Sequence, residues 1–263
     1  MEKKKIPLTI IIPVFNSEYY LEKLILSVID DVAEILICDS FSTDDTLKIA
    51  RKYDLPIIQH EYINSAKQKN WAIPQAKNEW VWVIDSDELP EDDLIDEIRH
   101  FIENVKEEVD LAYIPRKNLF WGEFMGKASA YPDYQSRLFK RDKGVYQDKE
   151  VHAQLEVPGS HIFLKHALVH DDFKDISTWW IRNNRYYQYE LDECLKRGVK
   201  WSFKLQYIKP LYVFFKFYIL RKGFLYGFKG LFVAFQWLVY YFFVGAKLYE
   251  YELKLKKNSS NEI

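Results

Sequence analysis

The 263 residues hold 37 Lys+Arg against 39 Asp+Glu, a net charge of −2 that hides two opposed regions. Residues 196–263 contain thirteen Lys/Arg and three Asp/Glu, a net of +10, so residues 1–195 carry −12; such asymmetry suggests two different partners. A hydrophobic fraction of 48% with 17% aromatic residues excludes general disorder, and 9 Gly with 9 Pro exclude a collagenous or low-complexity chain. The length fits one large domain, or one domain with an appendage. Cys38 and Cys194 have no partners at metal-ligand spacing. The apolar run Leu8–Phe15 is short, is broken by Pro13 and lacks a cleavage site, so it reads as a strand rather than an export signal, and cytoplasm is the default compartment.

Leu8–Ile12, bounded by Pro7 and Pro13, has the β-branched character of a strand buried on both faces. Ser17 reads as a helix N-cap, followed by Leu21, Leu24, Ile25 and Val28 at helical spacing. The pattern then repeats: strand Glu34–Cys38, helix Asp44–Tyr53, strand Pro56–His60, helix Ser65–Ala76 and strand Trp80–Ile84. Alternating units of this length predict an α/β fold with a parallel sheet, helices on both faces and a ligand site beyond the carboxyl ends of the strands. Further strands are predicted at Asp110–Pro115, Arg137–Phe139 and Glu150–Val157, and a helix from Asp175 to about Leu195.

Asn16 follows the first strand, Asp39 ends the second, and Asp85-Ser86-Asp87 follows Ile84, so the polar groups converge on one rim. In an extended segment the side chains of Asp85 and Asp87 point the same way, and a divalent cation would relieve their repulsion. Mg²⁺ or Mn²⁺ held in this manner completes its shell with water and phosphate oxygens, which points to a nucleoside-diphosphate donor. The bland alternative is that Asp-Ser-Asp-Glu-Leu-Pro simply begins the next helix.

Leu8–Asn16, the Cys38–Asp45 turn, Ala66–Asn70 and Asp85-Ser-Asp87 resemble the nucleotide-sugar-binding half of family 2 glycosyltransferases, which have a GT-A fold. Pro132–Phe139 and Glu150-Val151-His152 resemble the bacterial branch that adds sugars to the lipopolysaccharide core, including core β-1,4-glucosyltransferases. The resemblance implies that Pro13, Phe15 and Asp39 line the base pocket, with Asn16, Lys67 and Asn70 among the donor-binding residues. Asp85 would then lie against the ribose or metal, and Asp87 would bind the metal bridging the diphosphate. It also implies inversion in a single displacement, the metal acting as Lewis acid and a carboxylate deprotonating the acceptor hydroxyl.

Related sequences often carry an acid directly after the histidine of Val151-His152, where this chain has Ala153. Glu150 is therefore the first candidate for the base, with Asp133 and Asp148 behind it. Arg137 suits a substrate phosphate through its planar fork, or else makes an ordinary ion pair. His166 and His170, four apart in a strand, are too distant from one another for a zinc pair.

From Tyr212 to Ala246 aromatic runs alternate with single cations, and Leu231–Ala246 is free of charge for sixteen residues. As a helix that run rises about 24 Å, short of the roughly 30 Å hydrocarbon core. Two short helices joined near Gly223–Gly227 and lying in a membrane interface fit better, with packing as ordinary core the alternative. Nucleic acid is disfavoured because the cations sit on helices too apolar to be solvated.

The expectation is a GT-A-type mostly parallel sheet flanked by helices. Its catalytic domain would span residues 1–200 (donor half 1–105, acceptor half 106–200), followed by an amphipathic helical tail, 201–263. The reading is an inverting, metal-dependent transfer of a hexose, with UDP-glucose the favoured donor, to a lipopolysaccharide-core or lipid-linked glycan, peripherally on the inner face of the cytoplasmic membrane. A phosphohydrolase using Asp85 as nucleophile, and a non-catalytic nucleotide-sugar-binding or membrane scaffold protein, are the alternatives.

Overall fold

The computed structural model describes residues 4–148, 153–171, 173 and 175–261, with side chains to residue 257. Strands β1 (Ile6–Val14), β2 (Val32–Asp39), β3 (Ile57–Gln59) and β4 (Trp80–Val83) alternate with helices α1 (Glu18–Val28), α2 (Thr46–Lys52) and α3 (Ser65–Ala72). After the short strand β5 (Glu88–Pro90) and helix α4 (Asp92–Asn104) come β6 (Val109–Phe120), β7 (Glu123–Phe124), β8 (Asp133–Lys140), β9 (Val145–Tyr146), β10 (Leu155–Glu156), β11 (Ser160–Phe163) and β12 (Leu168–His170). Helices α5 (Ile176–Lys196), α6 (Lys209–Phe215) and α7 (Gly227–Asn261) complete the chain.

The main sheet has the order β3-β2-β1-β4-β8-β6-β12-β5. β1, β2, β3 and β4 pair in parallel, as the βα repeat predicts, while β8 enters antiparallel between β4 and β6. β12 runs parallel to β6 and antiparallel to β5.

Alternation along β1 divides the core, because successive side chains of a strand face opposite sides. Ile10 and Ile12 pack with Leu21, Leu24 and Ile25 of α1 and with Leu94 and Ile98 of α4. Ile11 faces the other way, onto Ala66, Ala72, Val83 and Phe139. Both faces are buried, which is why the strand reads as a continuous apolar run.

The residues fall into two compact units, the first comprising the chain up to Asn118 with Pro132–Asp171, the second Leu119–Tyr131 with the chain from Asp172 onward. In the second unit, residues 204–220 form one helical stretch in which α6 is flanked by π-helical turns at Lys204–Ile208 and Lys216–Leu220. It packs antiparallel to α7: Gln206 Nε2 donates to the Phe242 carbonyl at 3.3 Å, and Phe217 stacks on Trp237. The second helix is not short, as the charge-free run suggested; it continues for 35 residues because amphipathic turns extend it beyond that run. It is the one helix among the described residues long and apolar enough to cross a membrane.

Glycine sets the closeness of the hairpin. A Cβ on Gly230 would lie 1.8 Å from the Gly223 carbonyl oxygen, a rigid backbone neighbour. Gly230→Ala is therefore expected to cost about 1–3 kcal/mol through overpacking, read as a lower denaturation midpoint with unchanged helix content.

Candidate active site

Parallel pairing brings three strand ends to one edge, with Val14 beside Asp39 and Ile11 beside Val83. The loops leaving them are knotted together. The Asn16 N–H donates to Ser42 Oγ at 3.0 Å, and Asn16 Oδ1 accepts from the Thr43 N–H at 2.8 Å. The Ser17 N–H donates to Thr46 Oγ1 at 2.7 Å, and Ser86 Oγ donates to Ser17 Oγ at 3.0 Å, tying in the loop after β4. Asn16 and Phe41 have φ of 51° and 61°. Asn tolerates that left-handed conformation, whereas a phenylalanine there is strained and is held by the surrounding bonds. Phe15 and Phe41 both leave their rings exposed at this rim. Asp39 is fully buried and accepts from the Ser42 N–H and, at 2.9 Å, from Gln59 Nε2. Pro13 is part of β1, its ring half-buried.

The segment after β4 corrects the extended reading. Residues 85–88 close as a tight turn, the Glu88 N–H donating to the Asp85 carbonyl at 3.0 Å, so Asp85 and Asp87 take different partners. Nor does the segment begin a helix; Glu88 opens β5 and α4 starts at Asp92. Asp85 Oδ2 accepts from Arg137 Nη2 at 2.6 Å, and its Oδ1 lies 3.2 Å from Lys69 Nζ. Burial opposes ionisation of Asp85, but Arg137 and Lys69 outweigh it and hold the carboxyl well below the usual range. The chain of charges continues inward. Arg137 also donates to Glu88 Oε1 at 3.1 Å, Arg116 reaches the same oxygen at 3.2 Å, and Arg116 then forks onto Asp133. Three cations and three carboxylates thus balance, with Glu88 completely buried among them.

Asp87 turns instead toward His170, whose Nε2 lies 3.7 Å from Asp87 Oδ2. The imidazole Nδ1 is 2.9 Å from Asn118 Oδ1, which can only accept, so Nδ1 keeps a proton; Nε2 either donates to Asp87 from the imidazolium or, once deprotonated, turns its lone pair to the same side. Burial opposes ionisation of Asp87, while the hydrogen bond and positive charge of a protonated His170 hold the carboxyl below its usual range; a cation would take over that role once Nε2 gives up its proton. A carboxylate oxygen and an imidazole lone pair at this separation fit a divalent cation, whose remaining positions water and phosphate oxygens would fill. No group of three or more metal-ligating side chains occurs among the described residues.

Several expected site residues are committed elsewhere. Asn70 exchanges two 2.8 Å hydrogen bonds with the Tyr146 backbone, acting as a strand mimic that anchors α3 to β9. Lys67 lies on the exposed side of α3, 3.7 Å from Asp148, while Lys69 enters the site over the Tyr146 ring. Spacing points to the inner lysine: Ala66, Lys69 and Ile73 form one buried helical face. Asp133 Oδ2 accepts from Arg116 and Asn118, and its Oδ1 accepts from Gln135, leaving it poorly placed to take a proton. Arg137 is buried against protein carboxylates rather than presented to a substrate phosphate. Glu150 and His152 lie outside the described residues. His166 pairs with Glu97 at 3.0 Å, apart from His170.

Acidic groups at the carboxyl edge of a mostly parallel sheet, beside exposed aromatic rings, mark the place where an α/β fold binds its ligand. A profile of glycosyl transferase family 2 matches residues 9–160, and the chain belongs to that family. It is thus a glycosyltransferase with a GT-A-type fold, which sets aside the phosphohydrolase reading. Its sequence is 27% identical over 264 residues to the lipopolysaccharide core biosynthesis glycosyltransferase LpsC of Rhizobium meliloti, covering 97% of this chain and 96% of that protein. It is 26% identical over 253 residues to an uncharacterized glycosyltransferase of Rickettsia felis, covering 92% of this chain and 89% of the relative. Among solved structures it resembles S. aureus TarS in complex with UDP-GlcNAc, with a TM-score of 0.48 and 19% identity over 65% of this chain and 60% of that one.

Proposed function

We propose that the chain is an inverting, divalent-metal-dependent hexosyltransferase that moves glucose from UDP-glucose to a lipopolysaccharide-core or other lipid-linked glycan. The observation carrying this reading is the pairing of Asp87 with His170 beside the Asp85–Arg137–Lys69 cluster. The near full-length similarity to a lipopolysaccharide-core enzyme supports the acceptor class.

Asp87 and His170 would hold Mn²⁺ or Mg²⁺, which when bound stabilises the departing diphosphate as a Lewis acid. The exposed Phe15 ring offers the base an apolar face, while Asp39, fully buried, shapes that pocket by holding the Ser42 N–H and Gln59. The buried cations keep Asp85 ionised and fixed toward the donor. Glu150 remains the assigned base, with Asp148 second, since the oxygens of Asp133 are already engaged. It takes the proton of the acceptor hydroxyl as that oxygen bonds to the anomeric carbon and the bond to the diphosphate breaks.

In this reading residues 1–200 perform the transfer and 201–263 hold the enzyme at the inner face of the cytoplasmic membrane. A row of exposed apolar side chains at Phe203, Tyr207, Leu211, Phe215 and Ile219 supports interfacial binding. Lying in the interface is favoured over crossing because the apolar stretch of α7 packs on α5, with Tyr240 Oη 3.4 Å from Glu190. Crossing would carry that carboxylate into hydrocarbon, at a cost of a few kcal/mol.

The test is incubation with a panel of nucleotide sugars and Mn²⁺, measuring nucleotide release, with glycolipid from cells with and without the protein compared by mass spectrometry. UDP-glucose should be the best donor, and the glycolipid should differ by one hexose. No nucleotide release with any donor would overturn the proposal.

A further inference from the structure

The second unit carries an apolar groove of about 360 Å³ whose walls include Val199, Leu205, Ile208 and Tyr212. Three lysines, Lys200, Lys204 and Lys209, line the same groove. Carboxylates close in sequence or packing have other partners: Glu252 accepts from the Trp201 N–H at 2.8 Å, Glu250 pairs with Lys254 at 2.8 Å, and Glu190 with Arg197 at 3.4 Å. None of the three lysines has an ion-pair partner among the described residues, and Lys209 rests over the Tyr241 ring, 4.1 Å from its centre. A second groove of about 420 Å³ shares Val199 and Lys200 with the first and is lined by Leu195, Leu248, Tyr251 and Leu255 together with Lys256 and with Glu252, whose carboxylate holds the Trp201 N–H.

Two largely apolar grooves that share Val199 and Lys200, the first lined by three lysines without ion-pair partners among the described residues, match an amphiphile with two chains and a negative head. A nucleotide would leave the apolar walls unused, and a neutral lipid would leave the lysines unpaired. We propose that these grooves bind one anionic phospholipid of the bilayer, its phosphate among Lys200, Lys204 and Lys209 and one acyl chain in each groove. The inference rests on the membrane reading given above and sharpens it: a defined lipid site, not diffuse surface charge, selects anionic membrane. Ile208, which lines the groove, is itself exposed and adjoins Tyr207 of the exposed apolar row, so a lipid held there would stand at the bilayer surface.

The test uses the full chain in two assays. The first is flotation with phosphatidylcholine vesicles, with and without phosphatidylglycerol; the second is titration with short-chain phosphatidylglycerol below its micelle-forming concentration. The wild type should favour phosphatidylglycerol vesicles and bind one short-chain lipid per chain, with no competition from glycerol phosphate. Lys204→Gln with Lys209→Gln should weaken both bindings, by roughly fivefold per lysine. Ile208→Trp, filling the groove at an exposed position, should abolish short-chain lipid binding, circular dichroism confirming that both variants fold. Unchanged lipid titration in these variants, no saturable one-to-one binding, or equal binding of glycerol phosphate would overturn the site while leaving membrane attachment standing. Failure of the wild type to float with any vesicle would remove the membrane reading and this site together.

Discussion

Asp87→Asn is expected to lower sugar transfer by about two to three orders of magnitude, the loss typical when a group stabilising transition-state charge is removed. The fold should be intact, because Asp87 is half-buried and faces one imidazole rather than sitting in the inner charge network. His170→Ala should show the same loss. Asn118→Ala, which frees the imidazole to change tautomer, should cost roughly 10–100-fold through weaker metal binding. Titration with Mn²⁺, read by its paramagnetic resonance, should give weak or no binding for the Asp87 and His170 variants. Wild-type affinity should fall as pH is lowered, because a protonated imidazole offers no lone pair. Full transfer activity in Asp87→Asn would falsify the assignment of the cation to this pair.

Arg137→Ala is expected to cost about 3–5 kcal/mol of stability, the effect of removing one partner from a buried ion network. Arg137 is only 6% exposed and Glu88 is fully buried, so the vacated carboxylates would remain in a poorly solvated interior. Glu88 Oε1 would keep only Arg116, and Asp85 only Lys69. Chemical denaturation should show the loss in midpoint. Arg137→Lys should recover part of it, since an ammonium cannot reach both carboxylates with the fork of a guanidinium. The pH dependence has a definite sign. The folded value for Asp85 lies below its unfolded value of about 3.9, so its stabilisation is complete above that value and lost as pH falls toward the folded one. Without Arg137 the folded value rises toward the unfolded one, and this part of the acid sensitivity should shrink.

The order of β1 to β4 and the helices between them, the two-sided burial of β1, and the placing of Asn16, Asp39 and Asp85 at strand ends were legible in the sequence. Each depends on a local pattern: an apolar run, its flanking turn residues, and the rule that ligands gather where parallel strands end. The acidity of the segment after β4 and the basic aromatic tail were legible for the same reason, since composition along a short stretch reports on the environment it needs.

What the local pattern could not supply is which side chains meet. Asp85 and Asp87 part company because Glu88 closes a turn where an extended strand was expected. Lys69 rather than Lys67 enters the site through the rotational phase of α3. Arg137 reaches Asp85, 52 residues away, only because β8 inserts antiparallel beside β4. His170 meets Asp87, and Asn118 with it, because β12 pairs with β5 on one side and β6 on the other. Strand pairing between distant segments is a property of the assembled sheet, set by burial and register summed over many residues. Local periodicity therefore placed the carboxylates at the right edge, and the folded sheet alone chose their cations, their histidine and so their chemistry.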